Sequence, residues 1–275
     1  NVVEHLVEQG VHGIISGGST AENYAQTVEE RLELARFIKA RVNDRVPLIV
    51  GTGAMRTPDS IALASGAREM GADGILLGTP PYSVPTEEEN AHNALAIDRA
   101  ADLPIILYNY PARMGVQMGT TFLDKVRSSK NIVGIKESSG DINRLHLLAL
   151  DYPEISVSCG MDDQALEFFA WGARSWTCAG SNFLPEEHVF LYETCVLHND
   201  FAKGRRIMAA LMPLMRVLEQ GGKFIQCVKY GTEVAGLRTG PVRPPLLGLS
   251  EAEKAELEQV IKGLKATIAA IKAEA

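Results

Sequence analysis

Seven short apolar runs, each followed by glycine or polar residues and then an amphipathic stretch, constrain this chain more than any other feature. They fall at 13–18 (GIISGG), 47–53 (PLIVGTG), 74–79 (GILLGT), 104–109 (PIILYN), 132–137 (IVGIKE), 155–160 (ISVSCG) and 175–180 (SWTCAG). The runs are continuous rather than alternating, as parallel strands covered on both faces should be. Spacings of roughly 20–35 residues leave room for one helix in each crossover.

Helix boundaries agree with this repeat. Thr57-Pro58-Asp59 reads as a cap, a proline in the first helical position and an early acid. Thr86 precedes three glutamates that suit a helix N-terminus. Gly10, Gly71 and Gly172 each follow a helical stretch just before a strand, where a left-handed residue ends a helix.

The fold class expected is α/β, a (β/α)8 barrel with a C-terminal helical domain. Such a barrel needs eight strands, and the chain opens on a helix carrying Val3, Leu6 and Val7. A first strand is therefore expected within about 20 residues before Asn1. The alternative, an open doubly wound sheet, lacks a nucleotide fingerprint: GTGAMR at 51–56 fails the dinucleotide pattern, and GGSTAE at 17–22 has no P-loop lysine. After residue 199 only helical periodicity remains. Ile207, Leu211, Leu214, Met215 and Leu218 form one stripe; Leu257, Val260, Ile261, Leu264, Ile268 and Ile271 form another behind a capping box from Ser250 to Glu253. The domains expected are a barrel over 1–199 and a three-helix domain over 200–275.

At 275 residues, 46% hydrophobic and 22% charged, the chain can bury a large core. Its net charge of −7 is spread along helices, with no basic run to suggest a nucleic-acid partner. No apolar stretch reaches the roughly 20 residues of a membrane span, and no signal peptide opens the chain. The four cysteines, Cys159, Cys178, Cys195 and Cys227, form no C-x-x-C pair and read as reduced residues of a cytoplasmic protein. The six histidines lack metal-ligand spacing, so neither a metal nor a cofactor is expected.

Functional groups of a parallel barrel sit at the C-terminal strand ends and the loops beyond them. Those positions hold Ser19, Thr20, Thr52, Tyr82, Tyr108, Asn109, Arg113, Lys136, Asp162, Asp163, Ser181 and Asn182. Lys136 is the chemical outlier, because an apolar strand excludes an ammonium unless something compensates its lost hydration. It could snorkel to a rim carboxylate such as Glu137, or act as an amine nucleophile. A free lysine, near pKa 10.4, is protonated at pH 7 and cannot attack a carbonyl. Desolvation without a counter-charge favours the neutral amine, and Gly134 and Ser138, its same-face neighbours, bring none. Tyr108 could anchor a loop or move protons through a relay with Ser19 or Thr20 and Tyr82. The loop GGSTAEN offers backbone amides and hydroxyls to a small carboxylate, or is an ordinary helix cap. Arg113 could clamp a second carboxylate or be a plain surface arginine.

These residues fall in motifs that resemble the dihydrodipicolinate synthase / N-acetylneuraminate lyase family over nearly the whole chain. The motifs are GGSTAE at 17–22, GTGA at 51–54, TPPY at 79–82, LYNYPARMG at 107–115, GIKESSGD at 134–141 and SCGMDD at 158–163. The resemblance implies an eight-stranded barrel with a C-terminal helical domain, usually a homotetramer built from dimers. It implies that Lys136 forms a Schiff base with pyruvate or another 2-oxo acid and that Tyr108 is the acid/base group. Ser19 and Thr20 would hold the 2-oxo acid carboxylate, Tyr82 would serve a neighbouring subunit's relay, and Arg113 would receive the second substrate's carboxylate. Ala21 stands where the family usually has glycine, and Pro81 where the synthases have the first of two tyrosines.

The expected function is a Schiff-base lyase with a 4-hydroxy-tetrahydrodipicolinate synthase-like aldol reaction on aspartate semialdehyde. The alternatives are a dehydratase, deaminase or aldolase acting on a 4-hydroxy-pyrroline-2-carboxylate or a 2-keto-3-deoxy sugar acid, and, further off, a catalytically silent barrel.

Overall fold

The computed structural model describes residues 2–274. Seven strands form one sheet in sequence order: β1 (Ile14–Ser16), β2 (Leu48–Gly51), β3 (Gly74–Gly78), β4 (Ile105–Asn109), β5 (Ile132–Glu137), β6 (Ser156–Cys159) and β7 (Ser175–Trp176). Every pairing from β1 to β6 is parallel, with a helical crossover between successive strands. The molecule is thus α/β, with a parallel sheet and a helical C-terminal region. The last strand is shorter than its apolar run suggests, ending at Trp176, and residues 180–182 form a 3-10 helix.

The chain divides into two units. The first comprises His12–Met161 and Ala173–Ser175. Its core is built by strand residues Leu48, Ile75, Leu77, Ile105, Leu107 and Ile135, against Ala35, Leu63, Ile97, Phe122, Leu123, Leu145 and Leu148 from the crossover helices, all fully buried. Burying each large aliphatic side chain is worth about 1.5–3 kcal/mol, so this layer is the main stabilising element of the unit.

One strand departs from the expected pattern. Val133 lies in an apolar run that reads as buried on both faces, yet it is 41% exposed. The β4–β5 register explains it: Ile105 pairs with Ile132, but Ile106 pairs with Gly134, leaving Val133 without a partner. The one-residue shift carries through to the strand ends, so Tyr108 stands opposite Lys136 rather than Ile135. Glycine at 134 is needed beside the shift, because a Cβ there would lie 2.9 Å from the Ser156 carbonyl oxygen of β6.

Helix starts in this unit use side-chain caps. Thr86 and Glu89 form the capping box of Glu87–Ala101, and Thr27 and Glu30 that of Val28–Val42. Thr57 does not cap its helix as its sequence suggests. The helix begins at Thr57 itself, and the threonine hydroxyl donates instead to Asn93 Oδ1 at 2.7 Å. Gly71, with φ +72°, ends that helix as expected.

The second unit comprises residues through Val11, Asp162–Gly172 and the chain from Trp176. Its main helices are Pro185–Tyr192, Phe201–Met215, Phe224–Val234 and Glu251–Ala273. The two sequence stripes meet here: Ile207, Leu211, Leu214, Met215 and Leu218 are buried, as are Leu257, Ile261, Leu264, Ile268 and Ile271. Ser250 and Glu253 form the expected capping box of the last helix. His188 is wholly buried; its Nδ1 donates to the Leu184 carbonyl at 2.6 Å, and burial pushes the ring down to about 4. No disulfide joins Cys159, Cys178, Cys195 and Cys227. No described helix is long and apolar enough to cross a membrane.

Candidate active site

β4 and β5 each end in a pair of residues whose side chains alternate across the sheet. The first member of each pair, Tyr108 and Lys136, meets the other across the strands. Lys136 Nζ lies over the Tyr108 ring, 4.4 Å from its centroid. Among the described residues Lys136 has no carboxylate partner, and its side chain is half-buried rather than sealed in the core. The electron-rich ring face compensates an amine taken partly out of water, a contact worth about 0.5–2 kcal/mol, without neutralising it.

The second members, Asn109 and Glu137, point the other way and are almost completely buried. Asn109 Nδ2 donates to both Glu137 oxygens at 3.0 and 2.9 Å, and the Ser139 amide donates to Oε1 at 2.7 Å. Arg144, from the helix Ile142–Asp151, completes the cluster with an ion pair to Glu137 at 3.3 Å and a hydrogen bond to the Met118 carbonyl at 2.7 Å. The Met118 amide in turn donates to Asn109 Oδ1 at 2.9 Å. Glu137 is therefore committed on its own face, and the snorkelling contact considered for Lys136 is not made. The network also ties the two strand ends together directly behind Lys136 and Tyr108.

Gly160, just after β6, closes the site on one side. A Cβ there would lie 2.9 Å from Lys136 Cε and would overlap Ser138 Oγ. Ser138 Oγ is buried without a hydrogen-bond partner.

Beyond β4, Tyr110 and Arg113 extend the array. The Tyr108 and Tyr110 ring centroids are 5.9 Å apart with a 43° tilt, and the Arg113 guanidinium lies 5.3 Å from the Tyr110 centroid. Arg113 is exposed, on the one-turn helix Pro111–Met114.

Ser19 and Thr20 lie in a 3-10 turn, Ser19–Ala21, directly after β1. Gly17, at φ +65°, turns the chain into that loop, and Gly51 allows β2 to approach it, since a Cβ at Gly51 would collide with the Gly17 carbonyl. Arg31 supports the loop from the helix Val28–Val42. It is 6% exposed, and donates Nη1 to the Gly53 carbonyl at 3.0 Å and Nη2 to the Gly51 carbonyl at 2.6 Å. Burial pushes its guanidinium down to about 10, partly offset by Asp59.

Tyr82 is 89% exposed and held in the left-handed region, at φ +70°. Among the described residues no hydrogen bond joins Tyr108 to Ser19, Thr20 or Tyr82. The structure thus brings Lys136, Tyr108 and, through Tyr110, Arg113 into one array, while Ser19, Thr20 and Tyr82 sit on separate loops of the same unit. No described group of three or more His, Cys, Asp or Glu side chains is arranged to hold a metal. Sequence reading missed Tyr110, Arg144 and Gly160. The first was legible as an aromatic between two candidates, whereas the second, seven residues beyond Glu137, gave no such signal.

Comparison with known proteins agrees with this architecture. The model of the dihydrodipicolinate synthetase family matches residues 1–264. The 4-hydroxy-tetrahydrodipicolinate synthase of Exiguobacterium sibiricum is 35% identical over 272 residues, covering 97% of this chain and 92% of that protein. The synthase of Kosmotoga olearia is 35% identical over 267 residues, covering 94% of this chain and 88% of its own. Among solved structures, the synthase of Methylacidiphilum fumariolicum superposes with a TM-score of 0.93 at 32% identity, covering 99% of this chain and 91% of the other. The chloride-inhibited dihydrodipicolinate synthase of Acinetobacter baumannii, complexed with pyruvate, gives a TM-score of 0.89 at 30% identity, covering 96% and 90%.

Proposed function

This chain belongs to the dihydrodipicolinate synthetase family, and from that premise we propose that Lys136 is the Schiff-base nucleophile of its aldol-type reaction. The protein is a lyase of the class I aldolase type, acting on small molecules in a 4-hydroxy-tetrahydrodipicolinate synthase-like reaction. The observation that carries the assignment of Lys136 is its amine, without a carboxylate partner, held 4.4 Å over the ring of Tyr108.

In this reading the neutral Lys136 amine adds to C2 of pyruvate, forming a C–N bond while the carbonyl oxygen takes a proton. Tyr108 supplies that proton and assists the loss of water, leaving an iminium. The iminium accepts the electron pair released when a C3 proton leaves, and the resulting enamine attacks the aldehyde carbon of the second substrate. Hydrolysis returns the free amine. Ser19 and Thr20 receive the 2-oxo acid carboxylate, and Arg113 receives that of the second substrate, aspartate semialdehyde. Tyr82, exposed and left-handed, serves the relay of a neighbouring copy.

The sheet is read as part of a (β/α)8 barrel, with a helical domain from residue 200. The molecule is read as a cytoplasmic homo-oligomer, a dimer or tetramer. The exposure of Tyr82 supports an oligomer, and scattered cysteines outside any disulfide suit a reducing compartment.

Borohydride reduction in the presence of pyruvate tests the assignment. The expected result is one pyruvate-derived mass increment on Lys136, absent from a folded Lys136→Ala variant that also lacks turnover. A wild-type protein that takes no label, or labels elsewhere, overturns it.

A further inference from the structure

Tyr110 holds Arg113 in two independent ways. Its carbonyl accepts from the Arg113 and Met114 amides, both at 3.0 Å, and so anchors the one-turn helix Pro111–Met114. Its ring then receives the guanidinium at 5.3 Å. A second neighbour of that ring is Tyr108, at 5.9 Å, whose own ring carries Lys136 Nζ. Four groups therefore run in series: amine, ring, ring, guanidinium.

Arg113 has no ion-pair partner among the described residues, although it is exposed and flexible in kind. A long side chain on a surface samples many rotamers, and a carboxylate binding to it must pay for stopping that motion. A guanidinium laid on an aromatic face is already oriented, because its plane can stack on the ring, whereas a compact ammonium has no plane to align. Burial and then Glu22 push the Tyr24 phenol up, and the Arg113 charge offsets part of that rise.

We propose that Tyr110 is a positioning residue that sets the Arg113 guanidinium as the receptor for the far carboxylate of the acceptor, selecting short aldehydes with a terminal carboxylate over neutral ones. This rests on the reading of Lys136 and Arg113 given above. The ring face, not the phenol hydroxyl, does the positioning, so phenylalanine at 110 keeps the function and leucine loses it.

The test compares wild type, Tyr110→Phe, Tyr110→Leu, Arg113→Gln and the Tyr110→Leu/Arg113→Gln double variant. Each is assayed with pyruvate and either aspartate semialdehyde or butyraldehyde, and each is labelled with pyruvate and borohydride. Tyr110→Leu is expected to raise KM for aspartate semialdehyde about tenfold, with kcat, butyraldehyde turnover and pyruvate labelling within about twofold of wild type. Tyr110→Phe should match wild type, and adding Tyr110→Leu to Arg113→Gln should cost nothing further. Equal losses on both aldehydes, equal effects of leucine and phenylalanine, or additive losses in the double variant overturn the proposal, as does a labelled wild type that does not use aspartate semialdehyde. Failure of wild type to label with pyruvate overturns instead the assignment of Lys136, which separates the two outcomes.

Discussion

Gly160 packs its Cα against the Lys136 side chain so closely that a Cβ would stand 2.9 Å from Lys136 Cε. The same Cβ would meet the Glu137 carbonyl oxygen at 2.9 Å and overlap Ser138 Oγ, so neither backbone nor side chain can yield cheaply. Gly160→Ala should therefore push Lys136 off the Tyr108 ring, at an overpacking cost of about 1–3 kcal/mol. The expected outcome is a loss of kcat/KM of at least about tenfold with a parallel loss of pyruvate labelling. Adding Ser138→Ala, which removes the worst overlap, should restore part of both. A Gly160→Ala enzyme with wild-type labelling would mean that the lysine is not held by this contact.

The ion pair between Glu137 and Arg144 is buried on both sides, at 1% and 5% side-chain exposure. Removing one partner strands the other charge, whereas removing both leaves a neutral pair. Arg144→Met should destabilise the protein by about 3–5 kcal/mol in urea unfolding. The Glu137→Gln/Arg144→Met double variant should be more stable than Arg144→Met alone, since Asn109 and the Ser139 amide still find an acceptor in the glutamine. A double variant that loses the sum of two large single effects would contradict this account.

Much of this arrangement was legible in the sequence, and the rest was hidden for specific reasons. The repeat of strand, glycine and helix gives the parallel sheet because continuous apolar runs have few other uses. Lys136 stands out because an amine in such a run is costly. The contact between Tyr108 and Lys136 depends on Val133 dropping out of register, and nothing in the run IVGIKE distinguishes an unpaired valine from a buried one. Arg144 was invisible for a different reason: an arginine in the first turn of a helix reads as solvated until Glu137 is known to face it. Thr57 misled because it is the first residue inside its helix, so its hydroxyl donates to Asn93 Oδ1 instead of accepting a first-turn amide.

His188 should make the protein acid-sensitive above the range where most carboxylates titrate. Its folded value is about 4 against 6.5 when exposed. The unfolded chain therefore binds the proton first, and stability present above pH 6.5 is lost as pH falls towards 4. The full effect is about 3 kcal/mol. Glu253, held to about 2 by Lys223 and its Ser250 cap, acts in a lower window, below about pH 4.5. Unfolding free energies measured from pH 7 to 5 should fall steadily in wild type and flatten in His188→Phe. An unchanged slope in that variant would assign the acid sensitivity elsewhere.

Arg31 offers the last test, because its charge is buried for geometry rather than for pairing. It bridges the Gly51 and Gly53 carbonyls, while its Nε is buried with no partner. Lysine keeps the charge but cannot span two carbonyls with a planar fork, and its smaller head is harder to desolvate. Arg31→Lys should lower stability by about 1–3 kcal/mol, seen as a lower urea midpoint at unchanged slope. Because the Gly51 carbonyl and Arg31 itself lie beside Gly17, which leads into the turn bearing Ser19 and Thr20, KM for pyruvate should rise while KM for the acceptor aldehyde stays put. A variant that loses stability yet binds pyruvate normally would show that Arg31 braces β2 alone and leaves the Ser19 loop to position itself.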